Sequence, residues 1–198
     1  MKSNPKYIIG IDEAGRGSLA GPVSVGAVLV SPDFDFSLFS IVRDSKQMTP
    51  SMREKVFEEV KKAVRKGRLS YKVALISEKI IDTKGISFAV RKGIAEILKA
   101  LAVDPSSVEV RLDGSLYAPA EYKNQKTIIK GDVTEPAISL ASIMAKVTRD
   151  RKMMLLAKKF PAYGLEIHKG YGTAVHREAI VRSGISTLHR KSFCKKFL

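Results

Sequence analysis

The sequence predicts a mixed α/β fold with a helical C-terminal part. Three observations carry that prediction. Apolar runs of strand length lead the chain, amphipathic segments of helix length are interspersed among them, and a loop, a short helix and a basic tail close it. No internal repeat, low-complexity stretch or linker divides the 198 residues, so one domain over 1–198 is expected, with about 160–198 as its C-terminal segment.

Residues 7–11 read as a short buried strand and 23–30 as a second, with the glycine-rich stretch 13–22 making a hairpin-like pair of them. Ser31, Pro32 and Asp33 stop the second strand. Pro50 fits a first helical turn, and Val56, Val60 and Val64 recur every four residues, predicting a helix to about residue 66 that Gly67 closes. A strand is expected over 69–76. The apolar stripe of Ala89, Ile94, Ile97, Leu98 and Leu101 predicts a helix over 87–101. Alternating Val108, Val110 and Leu112 predict a strand over 107–112 that runs into Asp113 and Gly114, and 127–130 a further one ending at Gly131 and Asp132. The longest helix is expected over about 135–159, with Pro136 in its first turn and Pro161 beyond its end. Its Ala137, Ser139, Ala141, Ser142 and Ala145 are small, so it can lie very close to its neighbours. A loop rich in glycine and tyrosine follows over 163–172, then a short helix over about 174–182.

Lysine and arginine total 35 against 20 acids, a formal net charge of +15, which favours a polyanionic partner, nucleic acid first. One cysteine, Cys194, excludes an internal disulfide and fits a reducing, cytoplasmic compartment. The longest apolar run is far too short to span a bilayer, and residues 1–7 carry no apolar signal core. Amides are scarce (Asn4, Gln47, Asn124, Gln125), as in high-temperature compositions.

Against this basic background stand three acidic sites in one local context. Asp12 and Glu13 follow the first strand, Asp113 the fourth and Asp132 the fifth, each beside glycine. Strand ends of one sheet can converge on one edge, and carboxylates gathered there repel unless cations bind between them. Each acid alone reads equally as a solvated turn residue. Side chains adjacent on a strand point to opposite faces, so the chain is expected to bend at the 12–13 pair, with Gly15 and Gly17 making the bend. The spacing of Gly15, Gly17 and Gly21 also suggests a dinucleotide loop, but a strand rather than a helix follows it, and Asp12 and Glu13 would repel a pyrophosphate.

These residues together resemble the type 2 ribonucleases H, on the HII rather than the HIII side. Asp12-Glu13-Ala14-Gly15-Arg16-Gly17 resembles the family's signature, Asp44-Ser45-Lys46 its next motif, and Lys130-Gly131-Asp132 with residues 141–150 its central motif. His168-Lys169-Gly170-Tyr171-Gly172-Thr173 with His176 resembles the C-terminal one. The HIII group carries lysine in place of Arg16 and an added N-terminal domain, for which the six residues before Tyr7 leave no room. Ser139-Leu140, where the family usually has alanines, reads as packing variation.

The resemblance implies an RNase H-like fold, a central mixed five-stranded sheet flanked by helices. It implies a monomeric endoribonuclease that cuts the RNA of RNA–DNA hybrids and cuts 5′ of single ribonucleotides in duplex DNA, leaving 3′-hydroxyl and 5′-phosphate ends. Asp12, Glu13, Asp113 and Asp132 would hold two Mg²⁺ or Mn²⁺ ions, hard cations that suit oxygen ligands. Gly15, Arg16 and Gly17 would meet the backbone at the ribonucleotide 2′-hydroxyl, Tyr171 would stack on the next sugar, and Lys46 and Lys169 would hold phosphates. His168 is expected near substrate, His176 in a structural role, and His189, Arg190, Lys191, Lys195 and Lys196 as a solvated basic run. Phe193, Phe197 and Leu198 are too few to make a sliding-clamp peptide. Two rivals remain: a non-catalytic binder, which gains nothing from acids where phosphates approach, and a DNA nuclease of the same fold class, separable by substrate.

Overall fold

The computed structural model describes residues 5–39 and 48–197. Five strands form one sheet: β1 (Tyr7–Ala14), β2 (Val23–Val30), β3 (Ser70–Ile76), β4 (Val108–Asp113) and β5 (Gln125–Ile128). Their spatial order is β3-β2-β1-β4-β5. β2 runs antiparallel to both β1 and β3, whereas β1, β4 and β5 are mutually parallel, so the sheet is mixed. The helices are α1 (Pro50–Arg65), α2 (Glu78–Lys84), α3 (Ile86–Leu101), α4 (Gly131–Thr134), α5 (Pro136–Lys159), α6 (Leu165–His168) and α7 (Ala174–Ser183). The predicted α/β architecture, its five strands and its helical C-terminal part are all present.

One cluster packs α3 on one face of the sheet through Ala89, Val90, Ile94, Ile97 and Leu98 against Ile9, Ile11, Val23 and Val25. A second packs α1 and α5 on the other face, through Val56, Val60, Leu140, Ala141 and Met144 against Ile8, Val28 and Val30. The central strands are therefore apolar on both sides, which explains their unbroken hydrophobic runs. The small residues of α5 act as expected. A Cβ on Gly10 would stand 2.2 Å from the Ala137 backbone, and one on Gly26 2.5 Å from the Ala141 carbonyl, so glycine is required where helix meets strand. A third cluster, around Met153, Leu165, Ile180 and Leu188, ties α6 and α7 to the end of α5.

Three local expectations are corrected. β1 runs through Asp12 and Glu13 in regular register with Gly26 and Val25, so the pair itself does not bend, while Gly15, one of the two glycines expected to turn the chain, does so with φ of 86°. β5 ends at Ile128; Lys130 is left-handed (φ 55°), and Asp132 lies in the short helix α4 rather than at the strand exit. Helix α2, seven residues too short to show a clear period, went unpredicted.

Candidate active site

Because β1, β4 and β5 are parallel, their C-terminal ends share one edge. Ile11 is paired with Leu112, so Asp12 and Asp113 leave neighbouring strands side by side. The Asp132 amide donates to Asp113 Oδ1 at 3.3 Å, which draws α4 onto the end of β4. The buried Ser139 hydroxyl donates to the Asp132 carbonyl at 2.6 Å. This serine, expected to be packing variation, is instead the tie between α5 and the Asp132 turn.

Asp12, Glu13, Asp113 and Asp132 line one open cleft of about 500 Å³ together with Gly15, Arg16, Gly17 and Tyr171. Arg53, which the sequence did not point to, lines it as well, as do Ser142 and Lys146 of the 141–150 motif, to which no site role was assigned. Asp12 is 6% exposed. Burial lifts its carboxyl well above the usual range, Ser142 counteracts this by donating a hydrogen bond, and Glu13 and Asp113 raise it further. Burial also raises Glu13, against the hydrogen bond and charge of Arg16, whose Nη1 lies 3.3 Å from Glu13 Oε1. Among the described residues no three of the His, Cys, Asp and Glu side chains converge into a ready-made metal cage. The acids nonetheless share a cleft in which their negative charges disfavour one another. Hard oxygen donors under mutual repulsion fit divalent cations such as Mg²⁺ or Mn²⁺.

Residues 15–17 and Tyr171 line the same cleft. Gly15 has no freedom: at φ 86°, a Cβ would stand 1.9 Å from Arg149 Nε. A Cβ on Gly17 meets nothing within 4 Å, so its smallness serves no internal contact. The Tyr171 ring is half-buried, with Lys146 Nζ 5.8 Å and Arg149 Cζ 5.2 Å from its centroid.

A family model described as Ribonuclease HII matches residues 9–196. Proteins named Ribonuclease HII from Caldicellulosiruptor bescii and Bacillus anthracis are 41% identical over 98% of this chain and 89% of theirs, and 43% identical over 94% and 68%. The chain belongs to the ribonuclease HII family. Among solved structures, the RNase HII of a PCNA complex from Archaeoglobus fulgidus superposes with a TM-score of 0.77 at 26% identity, covering 95% of this chain and 94% of that one. A Bst-RNase HIII in complex with Mn²⁺ shares the fold, with a TM-score of 0.73 at 19% identity over 98% of this chain and 70% of that one. A ribonuclease HII is a hydrolase, and this chain is accordingly an endoribonuclease of the ribonuclease H type.

Not every residue assigned by resemblance to ribonuclease HII enters the cleft. Lys46, with Asp44 and Ser45, lies outside the described residues. Lys169 lines an adjoining groove with Arg53, Lys146 and Tyr171, and its ammonium donates to the Glu166 carbonyl of its own turn. Among the described residues no helix is long and apolar enough to cross a membrane.

The three histidines are buried and joined. His189 Nδ1 accepts from the Ser186 amide at 3.0 Å, which leaves its Nε2–H to donate to His176 Nε2 at 3.2 Å. His176 Nδ1–H then donates to the Tyr171 carbonyl at 3.0 Å. His168 accepts from Gly170 and donates to the Tyr163 carbonyl, so it faces the protein interior rather than substrate. Burial, reinforced by His176, pushes His189 down to about 4. The expected solvated tail holds for Lys191, Lys195 and Lys196, which are exposed, and is corrected for two members: His189 is 2% and Arg190 0% exposed, and both hydrogen-bond to main-chain groups of neighbouring loops. A basic run cannot disclose which members turn inward.

Proposed function

We propose that this endoribonuclease hydrolyses the RNA strand of RNA–DNA hybrids and cuts 5′ of single ribonucleotides embedded in duplex DNA, leaving 3′-hydroxyl and 5′-phosphate ends. The observation that carries the reading is one cleft lined by four carboxylates, a glycine loop and a half-exposed tyrosine. Asp12, Glu13, Asp113 and Asp132 would hold divalent cations, Mg²⁺ or Mn²⁺. When bound, such ions activate water for in-line attack and stabilise the charge growing on the leaving oxygen.

The chain's own residues supply position and selectivity. Ser142 and the Glu13 amide each hold the Asp12 carboxylate, fixing its direction into the cleft. Arg16 restrains Glu13 and has its guanidinium half in solvent, where it can meet a phosphate. Cations do not tell RNA from DNA; the 2′-hydroxyl is the group that differs, and both donor and acceptor are needed to read it. The open side of Gly17 lets the main chain approach that hydroxyl without a side-chain clash. Tyr171 would stack on the neighbouring deoxyribose, where a 2′-hydroxyl would be crowded. Lys146 and Arg53 add positive charge to the same cleft. The protein would act as a monomer in the cytoplasm, with nucleic acid as its partner.

The test is a DNA duplex with one embedded ribonucleotide, incubated with and without Mg²⁺. A single nick on its 5′ side, dependent on the ion and absent from the all-DNA duplex, is expected. Equal cutting of both duplexes would replace this reading with a DNA nuclease, and binding without cutting would replace it with a pure binder.

A further inference from the structure

Two fully buried guanidiniums sit beneath the glycine loop, and neither has a carboxylate in contact. Arg149, 1% exposed, comes from α5, and Arg190, 0% exposed, from the segment after α7. Among the described residues neither forms an ion pair; Asp150 acts on Arg149, and Glu78 and Asp82 act on Arg190, only through space. Burying a charge without a countercharge costs several kcal/mol, and an apolar side chain of similar volume would avoid that cost. What the two guanidiniums gain is main-chain carbonyls. Arg149 donates through Nε to Pro22 at 2.9 Å, through Nη2 to Ala20 at 3.2 Å and through Nη1 to Lys169 at 2.9 Å. Arg190 donates through Nε to Gly21 at 3.0 Å and through Nη1 to Arg16 at 2.8 Å. Its own amide donates to Leu19.

All five carbonyls belong to two irregular segments, 16–22 and the turn at 169, which lack a continuous strand ladder to hold them. The segments also touch directly: the amides of Leu19 and Ala20 both donate to Gly170, and that of Gly21 to Leu188. Gly170 fits because a Cβ there would stand 2.5 Å from the Ala20 carbonyl. Arg149, which leaves Gly15 no room for a side chain, therefore links the 20–22 stretch to the segment that carries Tyr171. A guanidinium suits this task because its fixed fork can bond carbonyls in several directions at once, whereas an ammonium is a single point of charge.

We infer that Arg149 and Arg190 are positioning residues, a paired internal brace that locks the 15–22 loop against the turn bearing Tyr171 so that both read one substrate backbone in fixed register. The inference rests on the proposed function for its catalytic consequence, but its structural content stands apart from it.

The experiment uses the full chain with R149K and R190K, which keep the charge and lose the fork. Amide hydrogen exchange at Leu19, Ala20 and Gly21 should quicken about tenfold in each variant, with β1 and β2 amides unchanged, as for loss of a charge-assisted hydrogen bond in a local opening. On the ribonucleotide duplex, kcat per folded molecule should fall about tenfold while KM, carried by the basic surface, stays within about twofold. Unchanged exchange at the three amides overturns the brace, as does unchanged kcat in folded variants of an active wild type. Failure of both variants to fold would assign the arginines to stability alone and overturn it too. If the wild type nicks no ribonucleotide duplex, the proposed function falls, and the exchange measurement still decides the brace.

Discussion

The two walls of the cleft bury charge in opposite ways. At the sheet edge, carboxylates from β1, β4 and α4 gather, Arg16 pairs with Glu13, and burial with mutual repulsion raises Asp12 and Glu13. On the loop side, two guanidiniums and three histidines are buried with no acid in contact, yet nearly all their donors and acceptors are met by main-chain groups. The first wall gathers like charges, which suits cations from solution. The second binds its charges mostly to main-chain groups and holds a shape, although Arg190 Nη2 is buried without a partner among the described residues. The proposed reaction, which activates a phosphodiester and recognises one sugar, would use one wall of each kind.

The largest effect should come from the acidic wall. Asp113→Asn is expected to lower cleavage about a thousand-fold or more while the protein stays folded and still binds hybrid duplex, since only the charge that holds cations is removed. Undiminished cleavage in saturating Mg²⁺ would break the contrast between the walls.

The loop wall should show its character in stability instead. His189 has a folded pKa of about 4, below the unfolded imidazole value. The unfolded chain therefore binds more protons between the two values; stability is full above about pH 6.5 and falls as pH drops. Between pH 7 and 5 this ring should lower the unfolding free energy by about 2 kcal/mol, while the raised carboxyls of Asp12 and Glu13 act in the opposite sense. Urea titrations of the wild type against His189→Gln isolate the ring's share, and the same pH profile in both would mean that the ring is charged in the folded protein.

Gly15 and Gly17 sharpen the comparison within one loop. Gly15→Ala should cost about 2 kcal/mol or more of stability, because its φ is positive and Arg149 fills the space. Gly17→Ala should leave stability within about 0.5 kcal/mol, since nothing lies near it, yet impair nicking at a ribonucleotide. Thermal melts of the two would separate an internal requirement from one imposed by substrate. The smallest expected effect is at Tyr171. Tyr171→Ala should lower the nicking rate at a lone ribonucleotide about tenfold with binding changed much less; equal losses in rate and affinity would argue against stacking.

The two walls also differ in how far the sequence disclosed them. The acids were legible because each follows an apolar run and adjoins glycine, and parallel strands must end on a common edge. The tight contact of α5 with β1 was legible from its alanines and serines. The loop wall was not: Arg149 lies inside a helix and Arg190 in a basic run, and neither position carries a sign that its side chain turns inward. Ser139 was misjudged for the same reason, since its value lies in a carbonyl seven residues earlier in the chain.

By itself, the sequence determined the strand and helix periods, the placement of the acids after apolar runs and the basic composition, because these follow from local spacing and composition. Only the tertiary structure decided which charges are buried, which carbonyls they bind and which way Glu13 and Lys169 turn. Those outcomes depend on groups brought together from segments more than a hundred residues apart, as when Arg149 meets Ala20 and Pro22. No local pattern encodes such a meeting, whereas the balance of desolvation against hydrogen bonding at the assembled site settles it.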